Sequence, residues 1–124
     1  MPAPERLGPE SFERRRLLRD GLWVVDFSAD WCPFCQAFIS EFRTWDAGPE
    51  VRTAIGDLTD LDSPLWEALD IEVTPTVIGF RDGQEFVRRD GRLGVGLDGS
   101  DLEAVRAAVG TERARRDAVR GARP

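Results

Sequence analysis

Residues 22–28, Leu-Trp-Val-Val-Asp-Phe-Ser, form a nearly continuous apolar run rich in β-branched and aromatic side chains. A run of this length and composition describes a central strand covered on both faces, which requires a sheet with layers above and below it. The next regular pattern follows closely. From Pro33 to about Ala47 the apolar residues Phe34, Ala37, Phe38, Phe42 and Trp45 recur at three- and four-residue spacing, describing an amphipathic helix that Gly48-Pro49 ends. Residues 29–35 therefore lie at a strand-to-helix junction.

The rest of the chain supplies partners for that strand. Val51 to Leu58 is a second candidate strand, and Ser63-Pro64-Leu65-Trp66-Glu67 reads as an N-cap with proline at the first helical position, opening a short helix to Asp70. Thr76–Arg81 and Gln84–Arg89 are strand-like runs joined by Asp82-Gly83, a strong hairpin signal that makes them antiparallel neighbours. Gly91, Gly94, Gly96 and Gly99 form a flexible connection before a last helix opening at Ser100-Asp101-Leu102-Glu103 and running past Val109. Upstream, Pro9-Glu10-Ser11 followed by Phe12 to Asp20 predicts a first helix stopped at Gly21. The order helix, strand, helix, strand, helix, hairpin, helix describes an α/β fold with a mixed sheet of four to five strands sandwiched between helices. A chain of 124 residues suits a single core. We place that domain at residues 1–110 and treat 111–124 as an Arg-rich helix extension or tail.

Composition narrows the chemistry. The chain has no His, Lys, Tyr or Asn, which removes His-based triads, Schiff-base lysines and phosphate-loop lysines. What remains is two Cys, carboxylates, Arg and hydroxyls, and of these a thiol alone is a strong nucleophile without a neighbouring base. The net charge of −6 is uneven: residues 111–124 carry five Arg against Glu112 and Asp117, giving +3 there and −9 over residues 1–110. An acidic body disfavours nucleic acid as a partner, and the tail reads as a solvated helix end or an interaction arm. No apolar stretch reaches the length of a membrane span, and the N-terminus carries prolines and mixed charge in place of a secretory signal. The expectation is a soluble, cytoplasmic monomer that engages no membrane.

Cys32-Pro33-Phe34-Cys35 sits at the strand-to-helix junction. A helix N-terminus presents unpaired N–H groups and the positive end of the macrodipole, so a thiolate at Cys32 is favoured there. Residues three apart on a helix share a face, which brings the sulfurs within reach of a disulfide that opens and closes with little backbone movement. Cys32, at the exposed start, is the expected nucleophile. Cys35, one turn inward and shielded by Phe34, Phe38 and the strand, is the expected resolving thiol. Half of a zinc site is the competing reading, but zinc takes four N or S ligands and the chain offers two, so no metal is expected. A static disulfide is another, although so small a loop adds little stability and such bonds are rare in a reducing cytosol.

With these residues in view, VVDFSADWCPFC resembles the strand, buried Asp and Trp-Cys-x-x-Cys signature of the thioredoxin family, and VTPTVIGFRDGQ resembles its second signature, over about Leu7 to Val109. Thioredoxins are themselves the standard instance of a cysteine activated in this way. The resemblance implies a cis Thr74-Pro75 peptide opposite the cysteine pair, with Thr74 offering its backbone to an extended substrate; an ordinary trans proline opening an edge strand is the plainer alternative. Asp26 would be desolvated, its pKa raised, and would exchange protons with Cys35 as general acid/base, unless a bulge turns it to solvent. Trp31 would wall the substrate groove or serve as a core aromatic, and Gly91 would line the groove or simply provide turn geometry. Pro33 and Phe34 complete the expected binding face.

The chain also departs from the family pattern. Pro-Phe stands between the cysteines where Gly-Pro is usual, and Pro plus an aromatic is closer to glutaredoxins. A lysine that commonly pairs with the buried Asp is missing, with Ile55 or Gly56 near its place, so Asp26 is expected to be more strongly neutralised. Ser28 occupies a common Trp position, and MPAPERLG, with its prolines, offers no good counterpart to the family's first edge strand. The implied function is reduction of protein disulfides through a mixed disulfide, with no cofactor besides the Cys32–Cys35 couple, recycled by a thioredoxin reductase or by glutathione. A non-turnover binding or chaperone module and a glutathione-linked oxidoreductase are the alternatives.

Overall fold

A computed structural model describes residues 4–121 of the chain; Met1 to Ala3 of the N-terminal segment and Arg123 of the basic tail lie outside them. The elements are β1 (Glu5–Leu7), β2 (Phe12–Glu13), β3 (Arg16–Leu17), β4 (Leu22–Ser28), α1 (Pro33–Thr44), β5 (Val51–Asp57), α2 (Leu65–Ala68), β6 (Thr76–Arg81), β7 (Gln84–Asp90) and α3 (Gly99–Gly121). Five strands form one mixed sheet in the order β1-β5-β4-β6-β7, with β1, β5 and β4 parallel and β6 and β7 antiparallel.

Every residue of β4 is buried, as its apolar run requires, and its two faces feed different clusters. Trp23, Val25 and Phe27 pack with Phe12, Leu17, Leu65 and Phe80, beneath the β2–β3 hairpin and α2. Val24 joins Phe38 and Phe42 of α1 and Leu102, Val105 and Val109 of α3 on the other side. The layered architecture expected from the sequence is therefore present. Among the described residues no helix is long and apolar enough to cross a membrane.

Two expectations fail at the N-terminus. The predicted first helix over residues 9–20 is a single 3-10 turn, Pro9–Ser11, followed by the two-stranded β2–β3 hairpin. Arg14 turns the chain with φ 56°, a left-handed conformation that no helix continues through. Phe12 and Leu17 become cross-strand partners and both enter the core. The hairpin is anchored by the Leu17 N–H, which donates to the Gly83 carbonyl at 3.0 Å. At Gly83 (φ 89°) a Cβ would stand 2.5 Å from the Leu17 carbonyl oxygen, so glycine answers both the Asp82-Gly83 turn and this close approach.

The second correction concerns the edge. Glu5, Arg6 and Leu7 pair in parallel with Ala54, Ile55 and Gly56, so the edge strand judged absent exists and the sheet has five strands. Pro4 and Pro9 flank it and take nothing from its ladder, and Leu7 is buried at its end.

Candidate active site

Cys32 caps α1. Its backbone is extended (φ −96°, ψ 112°), and its side chain accepts a hydrogen bond from the Cys35 N–H at 3.2 Å. Pro33 occupies the first turn, where an N–H has no helical partner. The Cys32 N–H donates to the Ala29 carbonyl at 3.2 Å and the Cys32 carbonyl accepts the Gln36 N–H at 3.1 Å, which ties the cap on both sides. Its sulfur thus sits at the positive end of a 12-residue helix. The Cys32 thiol also donates to the Thr74 carbonyl, at 3.7 Å.

Both cysteines are free thiols, but Cys32 retains 5% exposure and Cys35 none, so of the two Cys32 alone can be reached from solvent. Burial pushes the Cys35 thiol up, and the contact with Cys32 pushes it further; contacts from Thr74, the Ala29 backbone and Ser28 pull the other way, leaving it at about 11. Cys35 belongs to the buried cluster containing Phe27, Ala29 and Ile78. Phe34 does not provide the expected shield: it is 43% exposed and leans on the loop at Gly96.

Asp26 lies wholly buried in β4, in register with Ile55 on β5 and Val77 on β6, and does not turn to solvent. Burial raises its carboxyl from 3.8 to about 7, and the Ser28 hydroxyl, which donates to Oδ1 at 2.7 Å, moderates the rise. Oδ2 has no hydrogen-bond partner.

The Thr74–Pro75 peptide is cis. Register carries it to the cysteines, because Phe27 at the end of β4 pairs with Thr76 at the start of β6. Thr76 Oγ1 donates to the Val73 carbonyl at 2.8 Å, and Arg88 donates to the Leu69 and Asp70 carbonyls, both at 2.6 Å, which holds the segment leading into the loop. A Cβ at Gly91 would lie 2.6 Å from the Pro75 carbonyl oxygen, so this glycine is required by close backbone approach.

Trp31 is 52% exposed, which makes it a surface aromatic beside Cys32 and no core residue. Its indole N–H donates to the Thr59 carbonyl at 2.9 Å, and its ring stacks on Trp66 at 6.4 Å and 12°. Sequence reasoning missed Thr59 and Trp66, and nothing local marks them. It also passed over Ser28 as a site residue, although a position two after Asp26 on one strand faces the same way. Among the described residues no group of three or more Cys, Asp or Glu is placed to hold a metal. A surface depression of about 480 Å³, lined by Arg14, Arg15, Arg16, Gly83 and Glu85, lies at the opposite end of the sheet.

Comparisons with known proteins bear on the family and the fold. A protein disulfide-isomerase A6 homolog of Drosophila melanogaster is 32% identical over 72 residues, 57% of this chain and 17% of that protein. Thioredoxin-related transmembrane protein 1 of Bos taurus is 37% identical over 82 residues, 64% of this chain and 29% of that protein. The chain thus spans less than a third of the length of either relative. Thioredoxin f of the spinach chloroplast superposes with a TM-score of 0.67 at 20% identity, covering 86% of both chains, which shows a shared fold. The Thioredoxin family model matches residues 4–96, from the approach to β1 through the loop against Phe34, and the chain therefore belongs to the thioredoxin family.

Proposed function

We propose that the protein reduces disulfide bonds in other proteins through the Cys32/Cys35 dithiol. The observation that carries this reading is the placement of Cys32 at the head of α1, its sulfur receiving the Cys35 N–H, with Cys35 buried one turn behind. The Cys32 thiolate attacks a substrate sulfur and releases the first substrate thiolate. Cys35, deprotonated with Asp26 as base, attacks Cys32 Sγ; the internal disulfide forms and the second substrate thiolate leaves. Two electrons pass from the cysteine pair to the substrate.

Trp31, Phe34, Thr74, Pro75 and Gly91 form the face against which an extended substrate lies, with Pro33 shaping the cap. The bond from the Cys32 thiol to the Thr74 carbonyl supports an approach of substrate backbone beside this sulfur. No cofactor besides the cysteine couple enters the cycle, and a thioredoxin reductase or glutathione restores the dithiol. We place this activity in the cytoplasm, where the dithiol is the resting form, and in a monomer.

Dithiothreitol-driven reduction of insulin tests the reading. The protein accelerates precipitation of the insulin B chain, and Cys32→Ser reduces that rate to the uncatalysed background. An inactive wild-type chain would instead identify a binding module. Parallel assays with thioredoxin reductase and with glutathione plus its reductase identify the electron donor.

A further inference from the structure

Between Arg52 and Arg81 the chain has no basic residue and six carboxylates, Asp57, Asp60, Asp62, Glu67, Asp70 and Glu72. This stretch meets the cysteine motif at two points, Thr59 at Trp31 and Thr74 at Cys32. Beside it stand two stacked indoles: Trp31, 52% exposed, and Trp66, whose N–H donates to the Asp60 carbonyl at 3.2 Å. Asp60 adjoins the pair through that bond and Glu67 through the chain, while the Asp62 N–H donates to Asp60 Oδ1 at 2.8 Å. All three acids are exposed.

The neighbouring arginines are engaged elsewhere. Arg6 pairs with Asp30 and Asp57 at 3.4 and 3.3 Å, and Arg88 bonds Asp90 and the carbonyls of Leu69 and Asp70. Arg89 and Arg92, flanking Gly91, both bond Asp101. Among the described residues no ion pair engages Asp60, Asp62 or Glu67. Unneutralised carboxylates around exposed indole surface attract a cation twice, through the field and through the ring quadrupole, and a guanidinium also lies flat on an indole. The chain makes that contact internally, where Arg19 and Arg52 lie over Trp23 at 5.1 and 5.7 Å. Among the described residues no three carboxylates converge to hold a metal, which leaves charge spread along a chain as the match.

We infer that the disulfides this site takes are flanked by Arg or Lys: the substrate seats a cationic side chain on Trp31 and Trp66, among Asp60, Asp62 and Glu67, while its sulfur meets Cys32. The inference rests on the dithiol reading above and names its substrate class, a basic protein segment. The exchange chemistry is unchanged; the acidic rim governs which disulfide arrives and in what orientation.

Three short peptides test it, identical except for two Arg, two Gln or two Glu flanking one cysteine, which is held as a mixed disulfide with thionitrobenzoate. Attack by Cys32 on the peptide sulfur releases the coloured thiolate. Dividing each rate by that of dithiothreitol removes the effect of the flanking charges on the disulfide itself. At low salt the reduced protein takes the Arg peptide about tenfold faster than the Glu peptide, with the Gln peptide between, and about 0.5 M sodium chloride brings the ratio to within about twofold. Combining Asp60→Asn, Asp62→Asn and Glu67→Gln lowers the low-salt ratio to about twofold. Trp31→Leu with Trp66→Leu keeps the carboxylates and lowers it about threefold, and a ratio cancels any change common to all peptides. Far-UV circular dichroism shows that the variants are folded, and the salt series tests the charge without any variant.

Equal normalised rates for the three peptides, or a faster Glu peptide, overturn the inference. So does a preference that survives high salt, the triple variant or loss of both indoles, since the discrimination then lies elsewhere. The dithiol reading fails separately: intact mass would show the peptide retained on Cys32 with none released by Cys35, while the preference in the first step stays readable.

Discussion

The Asp26 carboxyl is held at about 7 by burial, with one hydroxyl to moderate it. A carboxyl whose folded pKa exceeds its unfolded one weighs against the fold as pH rises, since the unfolded chain ionises first. Here that loss of stability begins near the ordinary 3.8 and is complete above about 7. At roughly 1.4 kcal/mol per unit it reaches an order of 4 kcal/mol. Asp26→Asn is therefore more stable to urea than wild type at pH 8 by about 3 kcal/mol, and the gain vanishes by pH 4. A gain independent of pH would mean that Asp26 does not titrate in this range. The cysteines separate by a different test. With Cys35 buried and raised to about 11, its thiolate is scarce at neutral pH. Iodoacetamide at pH 7 thus alkylates Cys32 in Cys35→Ser at least about tenfold faster than Cys35 in Cys32→Ser, as peptide mapping will read.

At the scale of elements, α3 is docked by a buried carboxylate in its first turn. Asp101, 1% exposed, accepts from Arg92 at 3.1 and 3.0 Å, from Arg89 at 3.0 Å and from the Asp98 N–H at 2.9 Å. Burial would raise it, but these hydrogen bonds outweigh burial and hold it at about 2. A depressed carboxyl contributes stability above its unfolded value and loses it as pH falls through the folded one, here between about 4 and 2. Because both guanidiniums are nearly half exposed, Asp101→Asn costs about 1–2 kcal/mol at pH 7, shrinking toward zero near pH 2 in denaturant titrations.

The elements also show where sequence patterns speak and where they fall silent. β4, α1 and the β6–β7 hairpin were legible because each is specified locally, by an apolar run, a helical period or an Asp-Gly turn. The β2–β3 hairpin was not. Pro9-Glu10-Ser11 before Phe12 and three arginines reads as a helix start, with Gly21 as its stop, and what overrides the pattern is tertiary: Arg14 in a left-handed turn, and the Gly83 carbonyl waiting for the Leu17 N–H. β1 was hidden because three residues on a sheet edge need only one partner, and prolines beside a ladder look the same in sequence as prolines within it. Ser28 was visible as a departure from the family pattern, and only its distance to Asp26 gave it meaning.

In the whole molecule, the pairing of β4 with both β5 and β6 assembles the site. Parallel pairing on one side and antiparallel pairing on the other bring the end of β4 beside the start of β6, so Cys32 meets the carbonyl of Thr74, 42 residues away. That encounter depends on strand register, which no local pattern contains, and the resemblance to a known family was what anticipated it. The central claim is that the two sulfurs form one reversible redox couple. Equilibrating the protein across ratios of reduced to oxidised dithiothreitol, then acid-quenching, alkylating and weighing the intact chain, tests it most directly. The account predicts two species only, both cysteines alkylated or neither, exchanging along a single two-electron transition of about 30 mV per decade. Both thiols alkylated at every ratio, or protection of one without the other, would contradict it.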